Sequence, residues 1–355
     1  MLSTDALAAR RGFASDNSAA VHPRVLEAIA AANTGHTFAY GHDPYTRSVE
    51  ARFEELLGEG TRTFFVFNGS GANVLCLRAA CRPWEGAICT EVAHLNTDEG
   101  GAPERIGGIK LLLVQARDGK LTAEALGGLG GREIDEHSVH PRVLSITQST
   151  ELGTVYTVAE VRELAALAHE RGLLLHVDGA RLANAAAALG VSLAEITSDA
   201  GVDLLSFGGT KNGLLAGEAV VLLPAVADTI TGLEYLRKQT LQLASKMRFL
   251  AAQFDALLTD ELWRANAHNA NAMAARLAAA VAAAPALEIT RPVQANVVFA
   301  TLPAAAREAL QRRFDFYTWD EDAGEVRWMC SWDTTEEDVD EFAAAVVDEC
   351  ARSDR

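Results

Sequence analysis

The sequence is short of basic residues, cysteines and long apolar runs, and each shortage removes a class of protein. Lys and Arg number 31 against 48 Asp and Glu, a formal net charge of −17, and no stretch gathers the basic residues together. A surface of that sign repels nucleic-acid phosphates and anionic lipid, so neither nucleic acid nor membrane is an expected partner. The five cysteines, Cys76, Cys81, Cys89, Cys330 and Cys350, show no C-x-x-C spacing, and an odd count in a chain of 355 residues makes a poor disulfide framework. A reduced, cytoplasmic setting is expected. Arg10-Arg11-Gly12-Phe13 resembles the start of a twin-arginine signal, but Ser15-Asp16-Asn17 stands where such a signal needs its apolar segment. No run reaches the roughly 18 apolar residues of a membrane-spanning helix.

What is present is the composition of an ordinary folded protein: 49% of residues are hydrophobic and 22% charged. The length implies one large core domain and a smaller partner. Seven short apolar or β-branched runs, at 63–67, 87–90, 110–115, 142–147, 173–177, 203–207 and 219–223, alternate with helical stretches such as 158–171. Continuous apolar strands interleaved with helices predict an α/β fold, a mostly parallel seven-stranded sheet covered on both faces. From about Leu233 the texture changes to long helix (233–258, then 263–284), followed by strand-like runs at 296–302, 314–318 and 326–331 and a last helix over 335–350. This predicts a large domain over 1–245, including the N-terminal segment, and a small α+β domain over 246–355.

In open α/β sheets ligands bind beyond the carboxyl ends of the strands, so the residues just after each run are the candidates for chemistry. After the first run come Asn68-Gly69-Ser70-Gly71-Ala72-Asn73 and a helix. Small residues at a helix N-terminus make a phosphate cradle at Gly69, Ser70 and Gly71, or simply a capped turn. The loop lacks the Lys of a Walker sequence and the third Gly of a dinucleotide fingerprint, which weighs against a nicotinamide-dependent oxidoreductase. The fifth run ends in His176-Val177-Asp178-Gly179-Ala180-Arg181. Asp178 there is either a cap for the next helix or an acid in the crevice, and no third ligand near His176 and Asp178 completes a metal site. The sixth run leads to Gly208-Gly209-Thr210-Lys211-Asn212-Gly213. An exposed turn lysine is the bland reading; a desolvated one is a nucleophile toward carbonyls.

Together these parts are more specific than any one. A phosphate loop, a strand-end Asp178 and a Gly-flanked Lys211 33 residues later match the three functional groups of pyridoxal 5'-phosphate: phosphate, pyridine nitrogen and aldehyde. His94, after the second run, can lie against the ring or cap a helix. Arg327, in an apolar strand, pairs with a substrate carboxylate or forms a fixed salt bridge.

The chain resembles the low-specificity L-threonine aldolases, fold-type-I pyridoxal phosphate enzymes of the β-eliminating lyase superfamily, nearly end to end. The resemblance rests on Phe13-Ala14-Ser15-Asp16-Asn17, Tyr40-Gly41, Phe65-Val66-Phe67-Asn68-Gly69, Ala93-His94, His176 to Arg181, Phe207 to Gly213 and Met329-Cys330-Ser331-Trp332-Asp333. After Tyr-Gly the family commonly has an acidic residue, where this chain has His42 before Asp43. The resemblance implies that Lys211 joins the cofactor aldehyde, Asp178 pairs with the pyridine nitrogen, His94 stacks on the ring, and Gly69, Ser70 and Gly71 hold the phosphate. It assigns the substrate carboxylate to Ser15, Arg181 and Arg327, and matches His137 to a histidine near the substrate hydroxyl, so that His94, His137 or a water is the base. It implies an aldolase acting on L-threonine, L-allo-threonine or related β-hydroxy-α-amino acids, in a homodimer or homotetramer with sites at the subunit interface. Another lyase or an aminotransferase on the same cofactor is the nearest alternative; a binding protein that keeps the fold without turnover is more remote.

Overall fold

The computed structural model describes residues 11–127 and 135–353. The chain divides into two compact units, residues 21–264 and residues 1–20 with 265–355. The sequence pattern predicts this division at 245/246 and the N-terminal segment in the large domain. Packing accounts for the difference. The helix Arg248–Leu258 lies against the helices Pro23–Ala32 and Pro44–Leu57 of the large unit. The N-terminal segment joins the small unit, where the Phe13 N–H donates to the Asp315 carbonyl and the Phe13 carbonyl accepts from Met329 N–H, each at 2.8 Å.

The large unit is built on strands β1 (Arg62–Val66), β2 (Glu85–Thr90), β3 (Lys110–Val114), β4 (His140–Thr147), β5 (Leu174–Gly179), β6 (Leu204–Gly208) and β7 (Glu218–Leu222), in the order β1-β7-β6-β5-β4-β2-β3. All seven expected strands are present. β7 runs antiparallel to both β1 and β6, and the remaining pairs are parallel. The central strands are buried on both faces, which is why they read as unbroken apolar runs rather than alternating ones. Phe53, Phe65, Phe207 and Phe254 pack together with ring centroids 5.0–6.3 Å apart, fixing the end of β6 just before the glycines that lead to Lys211. Caps set the helix starts: Asp43 accepts from the Thr46 N–H at 2.8 Å, and Thr157 and Glu160 form a reciprocal capping box.

The helix expected over 233–258 is two helices, Leu233–Gln239 and Arg248–Leu258. Leu241 adopts φ +64° between them. That left-handed residue breaks the helix and turns Gln242 toward the start of the helix after β1, where its Oε1 accepts the Phe67 N–H at 3.0 Å.

The small unit holds an antiparallel sheet, β10-β11-β9-β8, from β8 (Glu288–Ile289), β9 (Val297–Thr301), β10 (Tyr317–Asp320) and β11 (Glu325–Met329). Phe13 stacks on Phe342 at 4.4 Å, and Trp328 meets the same ring edge-on at 5.2 Å. The last helix, Glu336–Ser353, starts from a Thr335–Asp338 capping box and carries Glu336, Glu337 and Asp338 in its first turn, the placement its positive end favours. No helix among the described residues is long and apolar enough to cross a membrane.

Candidate active site

The carboxyl ends of β5 and β6 bring Asp178 and the Lys211 loop together. Asp178 pairs with Ser206 and Gly179 with Phe207 across the two strands. A Cβ at Gly208 would stand 2.5 Å from the Ala180 carbonyl oxygen, and one at Gly179 2.8 Å from that of Ser206. Only glycine allows so close an approach of backbone to backbone. Lys211 sits in the one-turn 3-10 helix Thr210–Asn212. Its loop hangs on Glu218, whose Oε2 accepts the Gly209 N–H at 2.7 Å, and on Thr210, whose Oγ1 accepts the Gly217 N–H at 3.2 Å.

Burial raises the Glu218 carboxyl from its ordinary 4.5 to about 7, against its hydrogen bonds and the positive charge of Lys211. A group whose value is raised on folding contributes stability that is present below its unfolded value and is lost as pH rises through its folded one. Glu218→Gln is therefore expected to diminish the loss of stability between pH 4.5 and about 7. Urea midpoints of parent and variant below and above that window check it; equal losses would show that Glu218 does not govern it.

Asp178 is buried, 4% exposed, yet both of its oxygens are satisfied. Oδ1 accepts from the Ala180 N–H at 3.0 Å and Oδ2 from Asn73 Nδ2 at 2.8 Å. The same Asn73 nitrogen donates to Glu99 Oε1 at 2.8 Å, and His94 Nδ1 lies 3.0 Å from that oxygen. The Glu99 hydrogen bond raises the His94 pKa; burial opposes it, the Asp178 charge reinforces it and the Lys211 charge lowers it. Glu151 sits beneath, its Oε1 accepting from the His94 backbone N–H and the Thr147 hydroxyl, each at 2.8 Å. Burial pushes the Glu151 carboxyl up. Lys211, His94, Asp178, Asn73 and Glu99 thus form one electrostatic cluster.

His176 is part of the scaffold. Its Nδ1 pairs with the Ser145 hydroxyl at 2.9 Å and its Nε2 with that of Ser206 at 3.1 Å. Burial lowers its pKa to about 4, so it stands neutral with both ring nitrogens engaged.

The helix Gly69–Ala80 begins beside this cluster and contributes Asn73 to it. Asn68 caps it, accepting the Gly71 N–H at 2.8 Å. A Cβ on Gly69 would meet nothing within 4 Å, whereas one on Gly71 would come within 2.4 Å of the Gln242 side chain. The mouth of the helix is open at Gly69 and closed at Gly71, leaving room for an anion at the positive end of the dipole. An open helix N-terminus, a buried carboxylate held by two donors and a lysine on the adjacent strand end fit the phosphate, ring nitrogen and aldehyde of pyridoxal phosphate.

The other expected residues are distributed. Arg181 precedes the helix Leu182–Leu189, three residues after Asp178. Ser15 and Arg327 belong to the small unit and are neighbours there: Arg327 Nη2 donates to the Ala14 carbonyl at 3.2 Å, and its guanidinium lies 5.1 Å from the Trp319 ring centroid and 5.7 Å from that of Tyr317. His137 is not brought to the cluster by its own chain. It is exposed on a turn before β4, whereas Thr147, at the far end of β4, pairs with Asp178. Eight extended residues span roughly 25 Å, so this chain's His137 lies at the opposite edge of the sheet. Matching the position in sequence takes no account of strand polarity.

Asn73, Glu99, Glu151, Glu218 and Gln242 are site residues that the sequence pattern does not single out. Asn73 had a signal, one helical turn beyond Gly69 and therefore on its face. Glu99 and Glu218 reach the cluster only through tertiary packing.

Comparison with known proteins gives the family and the fold. The beta-eliminating lyase family model matches residues 12–305. The chain is 46% identical over 333 residues to the low specificity L-threonine aldolase of Pseudomonas aeruginosa, covering 93% of this chain and 95% of that one. It is 44% identical to the enzyme of the same description from another Pseudomonas, over 94% and 96% of the two chains. The solved threonine aldolase of Leishmania major superposes with a TM-score of 0.88 at 31% identity, covering 94% of this chain and 98% of that one. With a family model spanning most of its length and near full-length relatives on a shared fold, the chain belongs to the beta-eliminating lyase family of pyridoxal-phosphate-dependent enzymes.

Proposed function

We propose that the protein is a pyridoxal-phosphate-dependent aldolase that cleaves L-threonine, L-allo-threonine and related β-hydroxy-α-amino acids to glycine and an aldehyde. The observation that carries this reading is the tethering of His94: with Nδ1 bonded to Glu99, its Nε2 is left to take a proton beside Lys211 and Asp178. Its relatives of known description supply the substrate class.

When bound, the cofactor supplies an electron-poor ring that draws electrons from a bond at the amino acid's α-carbon. Lys211 would provide the amine for the aldehyde, Gly69 and Ser70 would receive the phosphate at the open mouth beside Gly71, whose own N–H is held by Asn68, and Asp178 would face the ring nitrogen. Arg181 would bind the substrate carboxylate; a guanidinium fork fixes its plane and so selects which α-carbon bond is aligned for cleavage. His94 would lie against the ring, with its Nε2 the atom that would accept the proton of the substrate's β-hydroxyl. The raised His94 pKa makes it a stronger base but requires a higher pH to keep it free, so Glu99→Gln moves the acid limb of the kcat/KM profile to lower pH. The burial of Cys76, Cys89, Cys330 and Cys350 suits a reducing cytoplasm.

Product analysis tests the assignment. Glycine and acetaldehyde in equal amounts from L-threonine are expected; pyruvate or ammonia instead would assign another reaction of the same cofactor. The strand polarity of His137 adds a second test. A role at the substrate hydroxyl requires His137 from a neighbouring copy, in keeping with a homo-oligomer, most simply a tetramer. Mixed oligomers of Lys211→Ala and His137→Ala chains, each impaired alone, are then expected to regain activity, because one class of mixed site has both residues intact. Failure of exchanged mixtures to regain activity would remove His137 from the site.

A further inference from the structure

Resting on that reading, and deepening it, we propose that Asn73 is a positioning residue that couples the partner of the cofactor ring nitrogen to the partner of the base. A single nitrogen does this: Asn73 Nδ2 donates one hydrogen to Asp178 Oδ2 and the other to Glu99 Oε1, both at 2.8 Å. The amide is 2% exposed and its Oδ1 has no hydrogen-bond partner. Turning the amide over would point that oxygen at two carboxylates, so the pair of acids fixes its orientation. Glu99 has an inaccessible side chain and spends one oxygen on both Asn73 and His94, while its Oε2 is buried and unpartnered. With Oε1 already receiving an Asn73 hydrogen, His94 Nδ1 donates to it, which leaves Nε2 as the proton-accepting atom.

The result is one line, Asp178–Asn73–Glu99–His94, with no water between its members. Two buried carboxylates share one donor group, and neither can relax toward solvent. A change at Glu99 alters the demand on the Asn73 amide and thereby the hydrogen bond that holds Asp178. A change in the state of His94 is felt at Asp178 by the same route. Among the described residues, the other titratable groups facing this line include Glu151 near His94, Cys89 near Glu99, Lys211, and His176 and Cys76 beside Asp178. Both His94 and the ring-nitrogen partner would thus be held in their working states by a residue that touches neither substrate nor ring.

A double-mutant cycle on the holoprotein tests this without turnover. The pH midpoint of the bound cofactor's visible absorption is measured for the parent, Glu99→Gln, Asn73→Ala and the double variant. Removing the Glu99 charge is expected to lower the midpoint in the parent, because a nearby carboxylate favours protonated forms. In the Asn73→Ala background the same change is expected to move it less than half as far. Equal shifts in both backgrounds would mean that Glu99 acts through space, and no shift in either would mean that Glu99 does not reach the ring; each overturns the proposal. Should Asn73→Ala not fold, Asn73→Ser decides, since a hydroxyl has one hydrogen and can serve only one carboxylate. A parent that binds the cofactor but forms no glycine from threonine sinks the aldolase reading, while the coupling still stands or falls on the absorption.

Discussion

Lys211→Ala is expected to eliminate threonine cleavage, a loss on the order of 10⁴-fold or more, the scale seen when an enzyme loses its nucleophile. The loop that presents Lys211 is held from both sides: Gly209 and Gly217 donate to Glu218 and Thr210, and Gly208 packs against Ala180 too closely for any side chain. The residue removed is thus a side chain on a fixed backbone, and the variant should fold normally. The visible absorption that depends on the lysine amine should vanish, and borohydride should no longer fix the cofactor to the protein. Its thermal unfolding should stay close to that of the parent. An active variant with an intact band would place the reacting amine elsewhere and dissolve the assignment.

Asp178→Asn is expected to lower kcat by about 10²–10³-fold, the range for losing one preorganised electrostatic contact where charge develops. The substitution keeps the shape and removes the charge. It also opposes two amides, because Asn73 already donates to Asp178 Oδ2 at 2.8 Å and the new side chain can satisfy it only through its own oxygen. That oxygen cannot also accept the Ala180 N–H, now held by Oδ1 at 3.0 Å. Since Lys211 and the Gly69 helix mouth are untouched, cofactor should still bind with its band displaced, and KM should change much less than kcat. A fall of less than about tenfold would mean that the ring nitrogen does not depend on this carboxylate.

Much of the site was legible in sequence because strand ends are legible. A buried parallel strand is a continuous apolar run, and the first polar or glycine residue beyond it marks the crevice. That logic finds Gly69, His94, Asp178 and Lys211. It does not find Asn73, which lies one helical turn inside the helix rather than at a strand end, nor Glu218, which opens β7 and reaches back to Gly209. The helix expected over 233–258 shows the same limit. Helical spacing of apolar residues continues on either side of Leu241, and only the φ of +64° there separates the two helices and frees Gln242 to reach the Phe67 N–H.

The amino-acid sequence alone determined the seven-strand α/β frame, the composition that disfavours nucleic-acid and membrane partners, and the three chemical groups that pyridoxal phosphate requires. Those are local properties, set by runs of apolar residues and by the polar and glycine residues at their ends. Tertiary structure decided which buried acids share a donor, that His137 stands at the opposite edge of its own sheet from Asp178, and that the N-terminal segment belongs to the small unit. Hydrogen bonds between residues as distant as Asn73 and Asp178 depend on crossover connections and strand order, and these appear only once the sheet is assembled.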